Sequence, residues 1–193
     1  MGNYQVIGQG SLYDIWGDFI VYRNLVPVDG RLPAIADLRQ HLDLKSEGLP
    51  RKSDLDYGAV VAELLRRARG LDLPDTLIKR LVFLGDTRLL DGSAFQNLCQ
   101  AGGWPGWAFI GRDEMASPRK VEVEGNLYLA NRWSALPEFI RFLGQQGFGL
   151  DEQTTLVIDM DKTAIGGRGR GSCGYVPPCS RNRYTFLLSL RGR

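Results

Sequence analysis

The sequence is poor in the side chains on which much enzyme chemistry depends: 193 residues contain one histidine and three cysteines. A lone His41 leaves no partner for a His-based zinc site and argues against Ser-His-Asp or Cys-His catalysis. Three cysteines cannot all pair, and only Cys173 and Cys179 lie near each other, so the expected setting is a reducing cytoplasm rather than a disulfide scaffold. Long apolar runs are also missing. None approaches the roughly 18 residues needed to cross a bilayer, and Met1-Gly2-Asn3-Tyr4-Gln5 lacks the basic start of a secretory leader. No fixed period recurs, so a repeat architecture is not expected.

Acidic residues are absent from Lys162 to Arg193, a stretch with one Lys and six Arg. Removing those seven leaves 17 of the 24 basic groups against all 22 acids in residues 1–161, a net of −5 beneath the overall +2. The body of the chain therefore offers no cationic patch for phosphate backbones, which argues against nucleic acid as a partner. Weak nucleic-acid binding would fall to the tail, around Gly166-Gly167-Arg168-Gly169-Arg170-Gly171. This Gly/Arg/Cys/Pro-rich ending after an acidic body reads as a truncated or out-of-frame segment.

What remains is an ordinary globular composition, 44% hydrophobic and 24% charged. Asp18-Phe19-Ile20-Val21-Tyr22 reads as a strand, and a helix is expected to open at Pro33. Residues 43–56 read as a polar surface loop. Tyr57, Val60, Val61, Leu64 and Leu65 then form one apolar stripe on a helical period, with Ser53 or Asp54 as cap and Gly70 as its end. A short helix is expected near Pro74-Asp75. Leu81-Val82-Phe83-Leu84 is a buried strand breaking off at Gly85-Asp86. A helix capped by Asp91 or Ser93 follows, and then a strand at Trp107–Gly111. Val121–Leu129 alternates as a strand or hairpin, Leu136, Phe139, Ile140 and Leu143 repeat the helical stripe, and Thr154–Ile158 is a β-branched strand ending at Asp159. Alternating strands and helices predict an α/β fold with a Rossmann-like parallel sheet and ligands at the strands' carboxyl ends. Three regions are expected: an N-terminal α/β region (1–75), a Rossmann-like region (76–165) and the basic tail (166–193).

Leu156-Val157-Ile158-Asp159-Met160-Asp161-Lys162-Thr163 carries the strongest chemical signal. Past a strand end the chain turns, so Asp159 and Asp161 can converge. Two close carboxylates bind a hard cation or separate into one ionised and one protonated group, and both outcomes suit phosphoryl transfer. The segment resembles motif I, D-x-D-x-T, of the haloacid-dehalogenase-like hydrolase superfamily, with Lys162 where Gly is commonest. That resemblance implies a phosphatase-type hydrolase acting on a small phosphorylated metabolite. It makes Asp159 the nucleophile that forms an aspartyl-phosphate and Asp161 the general acid/base. Mg²⁺ would be held by Asp159 and by Asp161 through its main-chain carbonyl, and Thr163 would orient the loop at the substrate.

Gly85-Asp86-Thr87-Arg88-Leu89-Leu90-Asp91 is similar to motif IV of the same superfamily, which makes Asp86 and Asp91 the acids completing the Mg²⁺ site. Lys79 or Arg80 would supply the phosphate-clamping cation. The chain order is reversed, because in the family motif IV follows motif I. The remaining motifs have no counterpart in the 30 residues after Thr163, so the expected fold is an incomplete version of the type, with turnover weak or lost. The alternative is a non-catalytic α/β binding or regulatory domain. Two geometric expectations follow: Asp159 at the carboxyl end of a central strand, and strand 81–84 beside and parallel to 155–158.

Overall fold

The computed structural model describes residues 20–22, 24–27, 29–112, 114, 116–159 and 184–189, of which 20–22 and 184–189 are described by backbone alone. Leu81, Val82 and Phe83 are buried, as are Ala108, Phe109 and Ile110. Strands buried on both faces belong in the middle of a covered parallel sheet, and that is where they lie. The strands are β1 (Ile20–Tyr22), β2 (Arg80–Gly85), β3 (Gly106–Gly111), β4 (Val121–Glu124), β5 (Leu127–Ala130), β6 (Thr154–Asp159) and β7 (Tyr184–Ser189). They form one sheet in the order β1-β7-β6-β2-β3-β5-β4. Strands β6, β2, β3 and β5 run parallel, while β7, β1 and β4 are antiparallel to their neighbours. The molecule is thus a mixed α/β fold of the Rossmann-like class.

Among the described residues four helices cover the sheet: α1 (Ile35–His41), α2 (Leu55–Asp72), α3 (Arg88–Gly102) and α4 (Leu136–Gln145). Alternation along each strand divides the core in two. Phe83, Ala108, Ile110 and Val157 pack with the buried faces of α1, α2 and α3, whereas Val82, Phe109 and Tyr128 pack with Phe139 and Leu143 of α4. Leu38, Leu64, Phe83 and Val157 belong to one continuous cluster, so the core runs across residue 75 without a break.

Several local expectations are corrected. Pro74-Asp75 forms a turn rather than a helix, and α2 continues past Gly70 to Asp72. Helix α3 begins at Arg88 with Thr87 as its N-cap, so Asp91 lies inside the first turns instead of before them. Ser134 stands in a 3-10 turn ahead of α4, and Ile140 is exposed. Within the segment read as truncated or out of frame, β7 pairs with β6, giving β6 a neighbour on each side.

Candidate metal centre at the carboxyl ends of β6 and β2

Register places the functional ends side by side. Leu84 of β2 pairs with Ile158 of β6, so Gly85 and Asp159 follow at the same level of two adjacent parallel strands. Asp159 falls on the same face as Val157, and Gly85 on the same face as Phe83, which is the side covered by α2 and α3. Helix α3 starts directly after β2 and brings Asp91 back over that strand end. Asp86, Asp91 and Asp159 consequently each offer a carboxylate oxygen, all within 4.8 Å of one another.

Gly85 makes this approach possible. A Cβ there would lie 2.6 Å from the Asp91 Cβ and 2.8 Å from its Oδ2. Gly85→Ala should therefore push Asp91 out of the cluster, at a cost of ~1–3 kcal/mol for the overpacked contact. Thermal melting and divalent-ion titration of the variant check this. A wild-type melting temperature and affinity would show that the contact yields freely.

Asp91 is nearly inaccessible, and its oxygens are committed. Oδ2 accepts the backbone N–H groups of Asp86 at 3.0 Å and Thr87 at 2.9 Å, which the start of α3 would otherwise leave unpaired. Oδ1 accepts from Lys52 Nζ at 2.6 Å, and the same ammonium donates to Asp159 Oδ1 at 2.5 Å. Asp86 accepts from the Thr87 hydroxyl at 3.1 Å.

Lys52 was not legible as a site residue. It lies in the polar stretch 43–56, expected to be a surface loop, yet its side chain is only 19% exposed and Pro50 is buried. Asn97 of α3 fixes the loop by donating to the carbonyls of Lys52 and Asp54 at 3.3 and 3.2 Å. Close helix packing supports this contact: a Cβ on Gly58 would come within 2.5 Å of the Asn97 carbonyl oxygen. The one available signal was position, a Lys in the turn just ahead of α2. No spacing rule connects it to an Asp 107 residues later.

The expected cation at Lys79 or Arg80 is corrected by the same geometry. Arg80 opens β2 at the opposite end from Asp86, about 20 Å away along the strand, and donates to Asp151 at 2.6 Å. The Lys79 amide bonds to Gln153 at that same end. Asp161 and Thr163 lie outside the described residues, as does the Arg-Gly segment.

With all four groups ionised, three carboxylates face one ammonium. Burial opposes the charge on Lys52, but Asp91, Tyr57 and Asp159 outweigh it and hold the ammonium above its ordinary value. Burial likewise raises the Asp159 carboxyl; Lys52 pulls it back, and Asp91 and Asp86 push it up again. One ammonium is too little positive charge for the cluster. An all-oxygen donor set suits a hard cation, and opposite ligands of Mg²⁺ stand ~4.2 Å apart, so a small closure would let all three acids reach one ion. Among the described residues, no helix is long and apolar enough to cross a membrane. No protein-family model, curated protein or solved structure matches the chain.

Proposed function

We propose that the chain is a Mg²⁺-dependent phosphohydrolase of the haloacid-dehalogenase-like type, acting on a small phosphorylated metabolite. The observation that carries this reading is the convergence of Asp86, Asp91 and Asp159 around Lys52 at two adjoining parallel strand ends. Asp159 of the D-x-D-x-T pattern and both acids of the G-D-x-x-x-x-D pattern meet at the ends of adjoining parallel strands, although the chain order of the two patterns is reversed. The reversed order requires that the reading be of a permuted arrangement of the two motifs.

Asp86, Asp91 and Asp159, with the main-chain carbonyl of Asp161, would hold the ion, which supplies positive charge against the phosphate oxygens. An Asp159 oxygen attacks phosphorus as the bond from phosphorus to the leaving oxygen breaks, and Asp161 gives that oxygen its proton. A water molecule then loses a proton to Asp161 and attacks the acyl phosphate, releasing inorganic phosphate and restoring Asp159. Lys52 favours the ionised, nucleophilic form of Asp159 and holds the carboxylate in place. By the resemblance, Thr163 would orient the loop that carries Asp161.

The test is hydrolysis of p-nitrophenyl phosphate and a panel of phosphorylated sugars and hydroxy acids, with Mg²⁺ and with excess chelator, alongside calorimetric Mg²⁺ titration. Chelator-sensitive turnover with one ion per chain is expected. Mg²⁺ binding without turnover on any ester would instead leave a non-catalytic α/β binding domain.

A further inference from the structure

A second group of charges faces the same edge of the sheet. Side chains of Ile110 and Arg112 at the end of β3, of Lys120 just before β4 and Glu122 and Glu124 along it, of Leu129 on β5 and of Arg88 on α3 line an open cavity of about 190 Å³. Residues 110 and 112 alternate onto one face, as do 120, 122 and 124. Ile110 and Leu129 pack against the core cluster under α2 and α3, so the cavity opens on the face that carries Asp159 and Asp91. Arg88 is two residues from Asp86, a span of at most ~7.6 Å between Cα atoms. The β3 wall of the cavity lies two strand spacings from β6, ~10 Å across the sheet, and its β4 wall four, ~19 Å. A compound of moderate length with its phosphoryl group at Asp159 would reach this cavity.

The lining is evenly charged. Arg88 pairs with Glu124, Arg112 with Glu114 at 3.3 Å, and Lys120 with Glu122 at 3.2 Å. All six side chains are between 34% and 74% exposed. Pairs this wet contribute little to stability, so a ligand can exchange for one member at small cost. Arginine forks match a carboxylate, and each Glu released from such a pair is an acceptor for an ammonium. The volume equals that of about six water molecules, enough for a compact head group.

Resting on the phosphohydrolase reading, we propose that this cavity receives the non-reacting end of the substrate, and that this end is a small zwitterion bearing an ammonium and a carboxylate. Charges of both signs at short range recognise such a group, whereas a single anion would meet as many carboxylates as cations.

The experiment uses the full chain with Mg²⁺ and O-phospho amino acids of increasing spacer length, each against analogues lacking the ammonium or the carboxylate. Thermal shift with the corresponding free amino acids gives a readout independent of turnover. The expected result is at least tenfold higher kcat/KM for one zwitterionic ester than for either analogue. Arg88→Ala, Arg112→Ala and Glu124→Ala should raise KM for that ester about tenfold, and more than for its analogues. The free amino acid should raise the melting temperature of the wild type and not of Arg112→Ala. Turnover of p-nitrophenyl phosphate with no preference for zwitterions and no thermal shift would overturn the cavity assignment while leaving the phosphohydrolase intact. A thermal shift abolished by Arg112→Ala, with no turnover of any ester, would keep the cavity as a zwitterion site and remove the phosphohydrolase reading.

Discussion

Under the proposed phosphohydrolase reading, Asp159→Asn is expected to reduce turnover by a factor on the order of 10³ or more, because a neutral amide cannot attack phosphorus. The fold should survive. Asn has nearly the same shape, Lys52 keeps its 2.6 Å contact with Asp91, and one of three crowded carboxylates is removed. Without divalent ions the variant should melt at or slightly above the wild-type temperature, since burial and the neighbouring acids already disfavour the Asp159 charge. Rates with p-nitrophenyl phosphate and thermal melts on the same preparations separate the two effects. Near-wild-type turnover would show that Asp159 is not the nucleophile.

Lys52→Met should give the largest change in stability. The methionine fills similar space, but Asp91 and Asp159, nearly inaccessible, lose the ammonium they share. Removing one partner of a buried ion pair costs ~3–5 kcal/mol; in a chain of this size each kcal/mol moves the melting temperature by about 2–4 °C. A fall of roughly 10 °C is therefore expected in metal-free buffer. Mg²⁺ should reverse much of it, since an ion held at 100 times its Kd adds about 2.7 kcal/mol. The pH dependence follows from the same pairs. The folded Lys52 ammonium titrates above its ordinary 10.5, so its contribution is complete below that pH and is lost as pH rises through the higher folded value. Alkaline unfolding of the wild type should show this loss, and Lys52→Met should not. A variant that melts like the wild type with and without Mg²⁺ would mean the ammonium is not what balances the cluster.

Part of this architecture was written locally. Leu81-Val82-Phe83-Leu84 and Thr154–Ile158 are recognisable as strands because residues covered on both faces must be continuously apolar, and the stripe from Tyr57 to Leu65 is recognisable because one helix face meets a core. The acids at the ends of those strands are legible for the same reason: a carboxylate directly after a buried strand lies at its exit. Helix starts were harder. Asp91 and Ser93 resemble caps, but Asp91 caps from within, reaching back to the amides of Asp86 and Thr87.

The sequence by itself determined the α/β alternation, the buried strands, and the presence of Asp86, Asp91 and Asp159 at strand exits or helix starts, since each follows from periodicity and turn chemistry within about ten residues. The expected pairing of β2 with β6 is met, but only the tertiary structure decided that β7 flanks β6 on the other side and that the cation among the acids is Lys52 instead of Lys79 or Arg80. Strand order and the arrival of a distant side chain depend on which apolar faces can be buried together, a property of the whole core that no local pattern encodes.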